Sequence, residues 1–279
     1  MLLANAARYL ANCGKGVVAL DFDFEAPGLH YKFGASQASA GGAVPYLVAT
    51  AEGSTSAPPF EEHMISVPVP QEAGGWLRLM PAGPAPSKAY LRALKELGEK
   101  LQLTDLSGRG FMAMLDLQAR IEDELKPDYL LIDARTGVTD FGGLVTTVFA
   151  DTVVCMLVAN QESLDGTLVV VDALKSVPRL ANQKPIRVVP VVSRKTEKLS
   201  VDVRFESGLK RLLELSDGPR SRDLNMPLLL ILPHDDPYGA SEWLVGSEEA
   251  KGSLFAPLYK AYMTLFAGLF PGLGPYGRL

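Results

Sequence analysis

The chain predicts an α/β fold, a three-layer sandwich of helices around a mostly parallel sheet. Three observations predict it. Short apolar runs alternate with longer helical patterns along the chain. The runs Val17–Phe22, Tyr129–Asp133, Thr152–Ala159, Ile186–Ser193 and Leu228–Leu232 are apolar at nearly every position, as strands buried on both faces are. Acidic or polar residues sit where these runs end, and open α/β sheets bind ligands at the carboxyl ends of their strands.

Taken in order, residues 2–12 read as a helix, broken by Gly14-Lys15-Gly16 before the first strand. Residues 34–86 are rich in Gly, Ser, Ala and Pro, with strand-like pieces at Ile65–Val69 and Trp76–Met80. They read as a variable insertion that carries a strand pair, within a single domain spanning 1–279. Helical patterns follow at Ser87–Leu101, Phe111–Leu125, Leu164–Lys175, Val201–Leu215 and Gly252–Phe270. The last has Leu254, Phe255, Leu258, Tyr262, Leu265, Phe266 and Leu269 near helical spacing, but only Lys251 and Lys260 supply positive charge. A helix packed on the sheet accounts for it better than a membrane-surface helix. The tail Pro271–Leu279 is turn-rich, and no internal repeat is visible.

Composition narrows the function classes. The 279 residues are 47% hydrophobic and 21% charged, ample for one large core. A net charge of −5 argues against a globally basic nucleic-acid binder, although it leaves room for a local basic face. Cys13 and Cys155 share no spacing pattern, so neither a disulfide framework nor a metal site follows, and a reducing, cytoplasmic setting is expected. Arg8 interrupts any signal-peptide pattern, and no run of about 18 apolar residues predicts a transmembrane helix.

The chemistry concentrates in a few segments. In Asp21-Phe22-Asp23-Phe24-Glu25-Ala26-Pro27-Gly28-Leu29 two carboxylates stand two residues apart at a strand end, where they share a face and repel unless a cation or water compensates. A magnesium ion, or an attacking water that needs orienting, would give the pair a purpose; a solvated turn is the other reading. Asp133 ends a second apolar run, where a carboxylate can hold a magnesium-bound water or cap the next segment. Thr136 and Gly137 follow in a turn whose N–H groups can face a phosphate. Ala159-Asn160-Gln161-Glu162-Ser163-Leu164 reads as a helix N-cap region, with Ser163 preferred as the cap and Asn160 available to a ligand or a second subunit. Arg194, in Ser193-Arg194-Lys195, approaches a base or phosphate, or lies in a solvated basic turn. His30, His63 and His234 stand alone, so no catalytic triad or metal set is read from them.

Together, residues 20–30, 128–143 and 159–167 resemble the ParA/MinD-like group of phosphate-loop ATPases, in order and separation as well as in residues. They look closest to bacterial members whose phosphate loop reads Lys-Gly-Gly-Val-Gly-Arg followed by Ser or Thr. The resemblance runs from residue 1 to about 240 and implies an ATP-dependent switch with ATP and Mg2+ as cofactors. It implies that Asp23 orients the attacking water, that Asp21 organises the phosphate-loop lysine and magnesium, and that Asp133 holds a magnesium-bound water. Thr136 and Gly137 would lie near the γ-phosphate. Asn160 and Arg194 are candidate nucleotide contacts from their places after apolar runs, not from the resemblance. A homodimer and a protein partner are expected, and nucleic acid is not indicated.

The first strand and the phosphate loop of that family have no counterpart in residues 1–279. The chain as written is expected to bind ATP poorly. A central strand, if absent, would leave unpaired backbone groups at roughly 1–3 kcal/mol each, against a domain stability of about 5–15 kcal/mol. Yet Val17–Leu20 and Leu130–Ile132 remain strongly apolar. The expectation is that the natural product carries about 15–25 further N-terminal residues, one strand and its loop; a transcript start mapped at Met1 with a folded product would sink it. The rival from another class is a non-catalytic interaction module that keeps the fold without nucleotide chemistry, against which Asp21, Asp23 and Asp133 count. An ATP-dependent ligase on the same scaffold would need a second substrate pocket, and a dehydrogenase lacks its Gly-x-Gly-x-x-Gly.

Overall fold

The computed structural model describes residues 1–35, 41–51, 58–84, 87–101, 108–134, 149–176, 184–195, 203–218, 230–233, 244 and 257–273. The chain divides into two compact units, Met1–Leu144 with Tyr276–Leu279, and Val145–Pro275. Strand pairing is parallel in both, except at one edge.

The first unit opens with α1 (Leu2–Asn12), whose buried Ala4, Ala7, Leu10 and Ala11 form one face. Three of those four are alanines, and small side chains let a helix lie close to its sheet. Gly14, at φ +81°, ends the helix. Its N–H bonds Ala11 O at 3.1 Å and the Lys15 N–H bonds Leu10 O at 3.1 Å, the paired closure that a left-handed glycine permits. β1 (Gly16–Phe22) follows and is buried at every position, because it is central: β3 (Trp76–Met80) lies on one side and β4 (Tyr129–Ala134) on the other. Asp128 ties the strand starts together, accepting from Gly16 N at 2.7 Å and pairing with Lys15 at 3.5 Å.

Between β1 and β3 run α2 (Leu29–Lys32), α3 (Ala43–Ala51) and β2 (Ile65–Val67). The strand pair expected in 34–86 is present, with β2 antiparallel to β3. β3 also pairs in parallel with β1, from Gly16↔Trp76 to Leu20↔Met80, so this segment supplies an inner strand of the sheet. Helix α3 has no counterpart in the sequence reading. Its Pro45 sits in the first turn, where a missing N–H costs nothing, and Gly41-Gly42 before it looks like loop. α4 (Lys88–Leu101) and α5 (Arg109–Arg120) complete the unit, the latter running into a π turn at Ile121–Leu125. Among the described residues β4 has a strand neighbour on one side only, although it reads Tyr-Leu-Leu-Ile-Asp-Ala.

The second unit holds β5 (Thr152–Val158), α6 (Gln161–Ser176), β6 (Arg187–Lys195), α7 (Val203–Leu215), β7 (Leu230–Pro233) and α8 (Pro257–Leu269). β6 is central in the order β5-β6-β7. Its core gathers Leu157, Leu164, Val171, Val188, Val192 and Leu212. Asp217, just past α7, accepts from Val188 N at 2.9 Å and pairs with Lys175 of α6. Arg187 closes the carboxyl end of α8 by donating to Gly268 O at 2.8 Å and Leu269 O at 3.2 Å. No helix among the described residues is long and apolar enough to cross a membrane.

Candidate functional site

The parallel register sets Asp21 of β1 opposite Asp133 of β4, so two carboxylates emerge side by side at the carboxyl ends of neighbouring strands. Asp21 is fully buried. One of its oxygens accepts the Asp23 N–H at 3.3 Å; the other accepts those of Gly28 at 3.2 Å and Leu29 at 3.1 Å. This carboxylate is the hub of the turn from Asp23 to Leu29. Burial drives its pKa up, the Leu29 N–H opposes that, and the charge of Asp133 adds to it, leaving the group at about 7. Asp133 is also raised, by burial first, with the amino group of Met1 opposing and the charge of Asp23 adding.

Asp23 lies past the end of β1 and is half-buried. With Asp133, Lys32, Gly28 and Met1 it lines a small cleft of about 150 Å³. Met1 is also the N-cap of α1, so the two carboxylates face the first turn of an 11-residue helix, the end that attracts anions and the oxygens around a bound cation. Asp21 does not line that cleft, because its oxygens turn back into the backbone of the turn. Magnesium takes one or two protein carboxylates and completes its octahedron with water and phosphate oxygens. Asp23 and Asp133 match that donor count. Among the described residues no group of three or more His, Cys, Asp or Glu side chains could hold a metal ion unaided.

The sequence reading missed Tyr90. This residue of α4 is 3% exposed, and its hydroxyl donates to Phe24 O at 2.7 Å. Its pKa is pushed well up, by burial and then by the charges of Asp21 and Asp23. The phenol therefore stays protonated and keeps donating to the acidic turn. Nothing in the sequence links it to Phe24, since the contact spans 66 residues.

Asn160 and Arg194 belong to the second unit. Val158 pairs with Ser193, so Asn160, just past the end of β5, and Arg194, inside the last residues of β6, stand at the carboxyl ends of neighbouring strands. Asn160 is the cap of α6: its side-chain oxygen accepts the Ser163 N–H at 2.8 Å. This corrects the preference for Ser163 as cap. The helix starts at Gln161, which places Ser163 inside its first turn, where its hydroxyl accepts the Val158 N–H at 3.1 Å. Arg194 is exposed and has a left-handed backbone, φ +52°, at the irregular step between Val192 and Lys195 where β6 meets β7. Thr136, Gly137 and His234 lie outside the described residues.

No family model matches the chain, and no curated protein matches it. Solved structures do. An ATP complex of McdA from Cyanothece superposes with a TM-score of 0.56 at 15% identity, over 96% of this chain and 91% of that one. A ParA family ATPase from Chlorobium tepidum gives 0.57 at 14% identity, over 96% and 92%. The MinC:MinD cell division protein complex of Aquifex aeolicus gives 0.55 at 16% identity, over 96% and 88%. At such identities the likeness is one of fold, and it spans nearly the whole chain: the protein has the α/β fold of the ParA/MinD-type ATPases, with a mostly parallel sheet.

Proposed function

We propose that the chain is a cytoplasmic ATP-dependent switch of the ParA/MinD type, acting as one ATPase domain, in which nucleotide state controls dimerisation or recruitment of a protein partner. One observation carries the reading: Asp23 and Asp133 line the same cleft at the first turn of α1, on the carboxyl edge of a parallel sheet. Asp23, past the strand end and half-buried, is placed to orient a water. Asp133 is assigned to a magnesium-bound water, and Asp21 to holding the turn that presents Asp23. Thr136 and Gly137 are assigned to the γ-phosphate, and Asn160 and Arg194 to the nucleotide or a second subunit. Bound Mg2+ would neutralise charge on the phosphate oxygens. The ATPase fold of the neighbours supports this assignment.

The test is ATP binding and hydrolysis by residues 1–279 and by the same gene read in frame upstream. The expected result is Mg2+-dependent turnover in at least one form, abolished by Asp23→Ala. If both forms are folded and neither binds ATP, the switch reading fails and the non-catalytic interaction module replaces it.

A further inference from the structure

We propose that a second cleft in the first unit binds a small zwitterion with an apolar side chain, of the chemical class of an aromatic amino acid. The cleft has a volume of about 600 Å³, within the range of small-molecule sites. It is bounded by edge strand β2, the start of β3, the turn at Phe60–Glu62 and the π turn that ends α5. It is remote from the acidic site. Trp76 in its wall pairs with Gly16, whereas Asp133 pairs with Asp21, and five strand residues separate those levels by roughly 17 Å.

Its charges select the ligand. Arg78 is half-buried, with its guanidinium 5.9 Å from the centre of the Trp76 ring. Among the described residues no ion pair neutralises it. Glu61 lines the same cleft, also without an ion pair among the described residues. Glu124 is already held by Arg120 at 2.7 Å. One cation and one carboxylate thus face a shared space without neutralising each other. A simple anion would meet Arg78 but be repelled by Glu61 and Glu124, and a simple cation would meet the reverse. A molecule carrying both charges satisfies both walls, with carboxylate to Arg78 and ammonium to Glu61.

The apolar walls are built in advance. A Cβ at Gly16 would lie 2.5 Å from the Trp76 indole, so the ring occupies space that only glycine leaves, and a strand glycine marks such an approach. Phe60 is stacked with Tyr46 at 5.8 Å and covered by Arg120 at 4.6 Å. A ring entering the cleft meets the seated indole of Trp76, with Val69 and Leu125 beside it, while Phe60, itself buried, backs the wall; this limits the ordering cost of binding.

Of the two tryptophans, Trp243 is replaced by Phe so that Trp76 alone reports on its site. Tryptophan emission is titrated with L-phenylalanine, with 3-phenylpropionate, which lacks the ammonium, and with phenethylamine, which lacks the carboxylate. The expected result is saturable binding of L-phenylalanine near or below roughly 1 mM, with each analogue weaker by about tenfold or more. Arg78→Met keeps the apolar stem and is expected to weaken L-phenylalanine by the same factor, while exposed Glu61→Gln, which tests the site without risk to the fold, weakens it and leaves 3-phenylpropionate unchanged or tighter. Absence of saturation up to about 10 mM, equal binding of all three compounds, or binding unaffected by both substitutions would overturn the proposal. None of these outcomes depends on ATP.

Discussion

At the scale of single residues, Asp21 shows how a carboxylate can serve position rather than reactivity. Three backbone N–H groups hold it, yet burial keeps its pKa near 7. The sign follows. With a folded pKa above the ordinary 3.8, the native state binds the extra proton between those values, so this group's contribution is full below about pH 4 and is lost as pH rises through about 7. Asp21→Asn removes the charge and keeps an acceptor. Relative to wild type it should gain stability as pH rises from about 5 to about 8, with a ceiling of ~3 kcal/mol. Urea midpoints at the two pH values check this; a parallel course for the two proteins would refute it. Tyr90→Phe deletes one buried donor and its hydrogen bond to Phe24 O, at about 0.5–1.5 kcal/mol. Its local signature is faster amide exchange at Gly28 and Leu29, and unchanged exchange there would mean that the phenol does not hold the turn.

At the scale of elements, local chemistry settled the starts and stops that lie within a few residues of each other. Helix α1 runs over residues 2–12 as read, because Gly14 closes it through bonds to Ala11 and Leu10. The strand at Trp76–Met80 also matches its reading. The cap of α6 went to Asn160 because the helix begins one residue after it, a choice between two competent side chains that sequence pattern leaves open. Asn160→Ala should therefore destabilise the protein by about 1 kcal/mol, the usual worth of such a cap, measured as a drop in Tm. An Asn160→Ala protein as stable as wild type would return the capping role to Ser163.

At the scale of the whole molecule, the switch reading makes a thermodynamic prediction. A ligand that binds only the folded state stabilises it by about 2.7 kcal/mol at 100 times its Kd. Mg2+-ATP should therefore raise the Tm of the form that binds it, and Asp23→Ala or Asp133→Ala should reduce that rise. A rise untouched by either substitution would place the nucleotide away from the Asp23–Asp133 cleft. The two carboxylates come together because parallel pairing aligns the ends of β1 and β4, which stand more than a hundred residues apart in sequence.

The sequence by itself determined the alternation of strands and helices, the burial of β1 and the acids at strand ends. These follow from apolar periodicity and local turn chemistry, which act over a few residues. Only the tertiary structure decided that Trp76–Met80 would be an inner strand beside β1, that Asp21 would spend its oxygens on Asp23, Gly28 and Leu29, that Tyr90 would reach Phe24, and that Arg78 and Glu61 would share a cleft. Each of these rests on register and packing between distant segments. Strand pairing and side-chain contact depend on which surfaces meet, and a linear pattern of residue types carries no term for that.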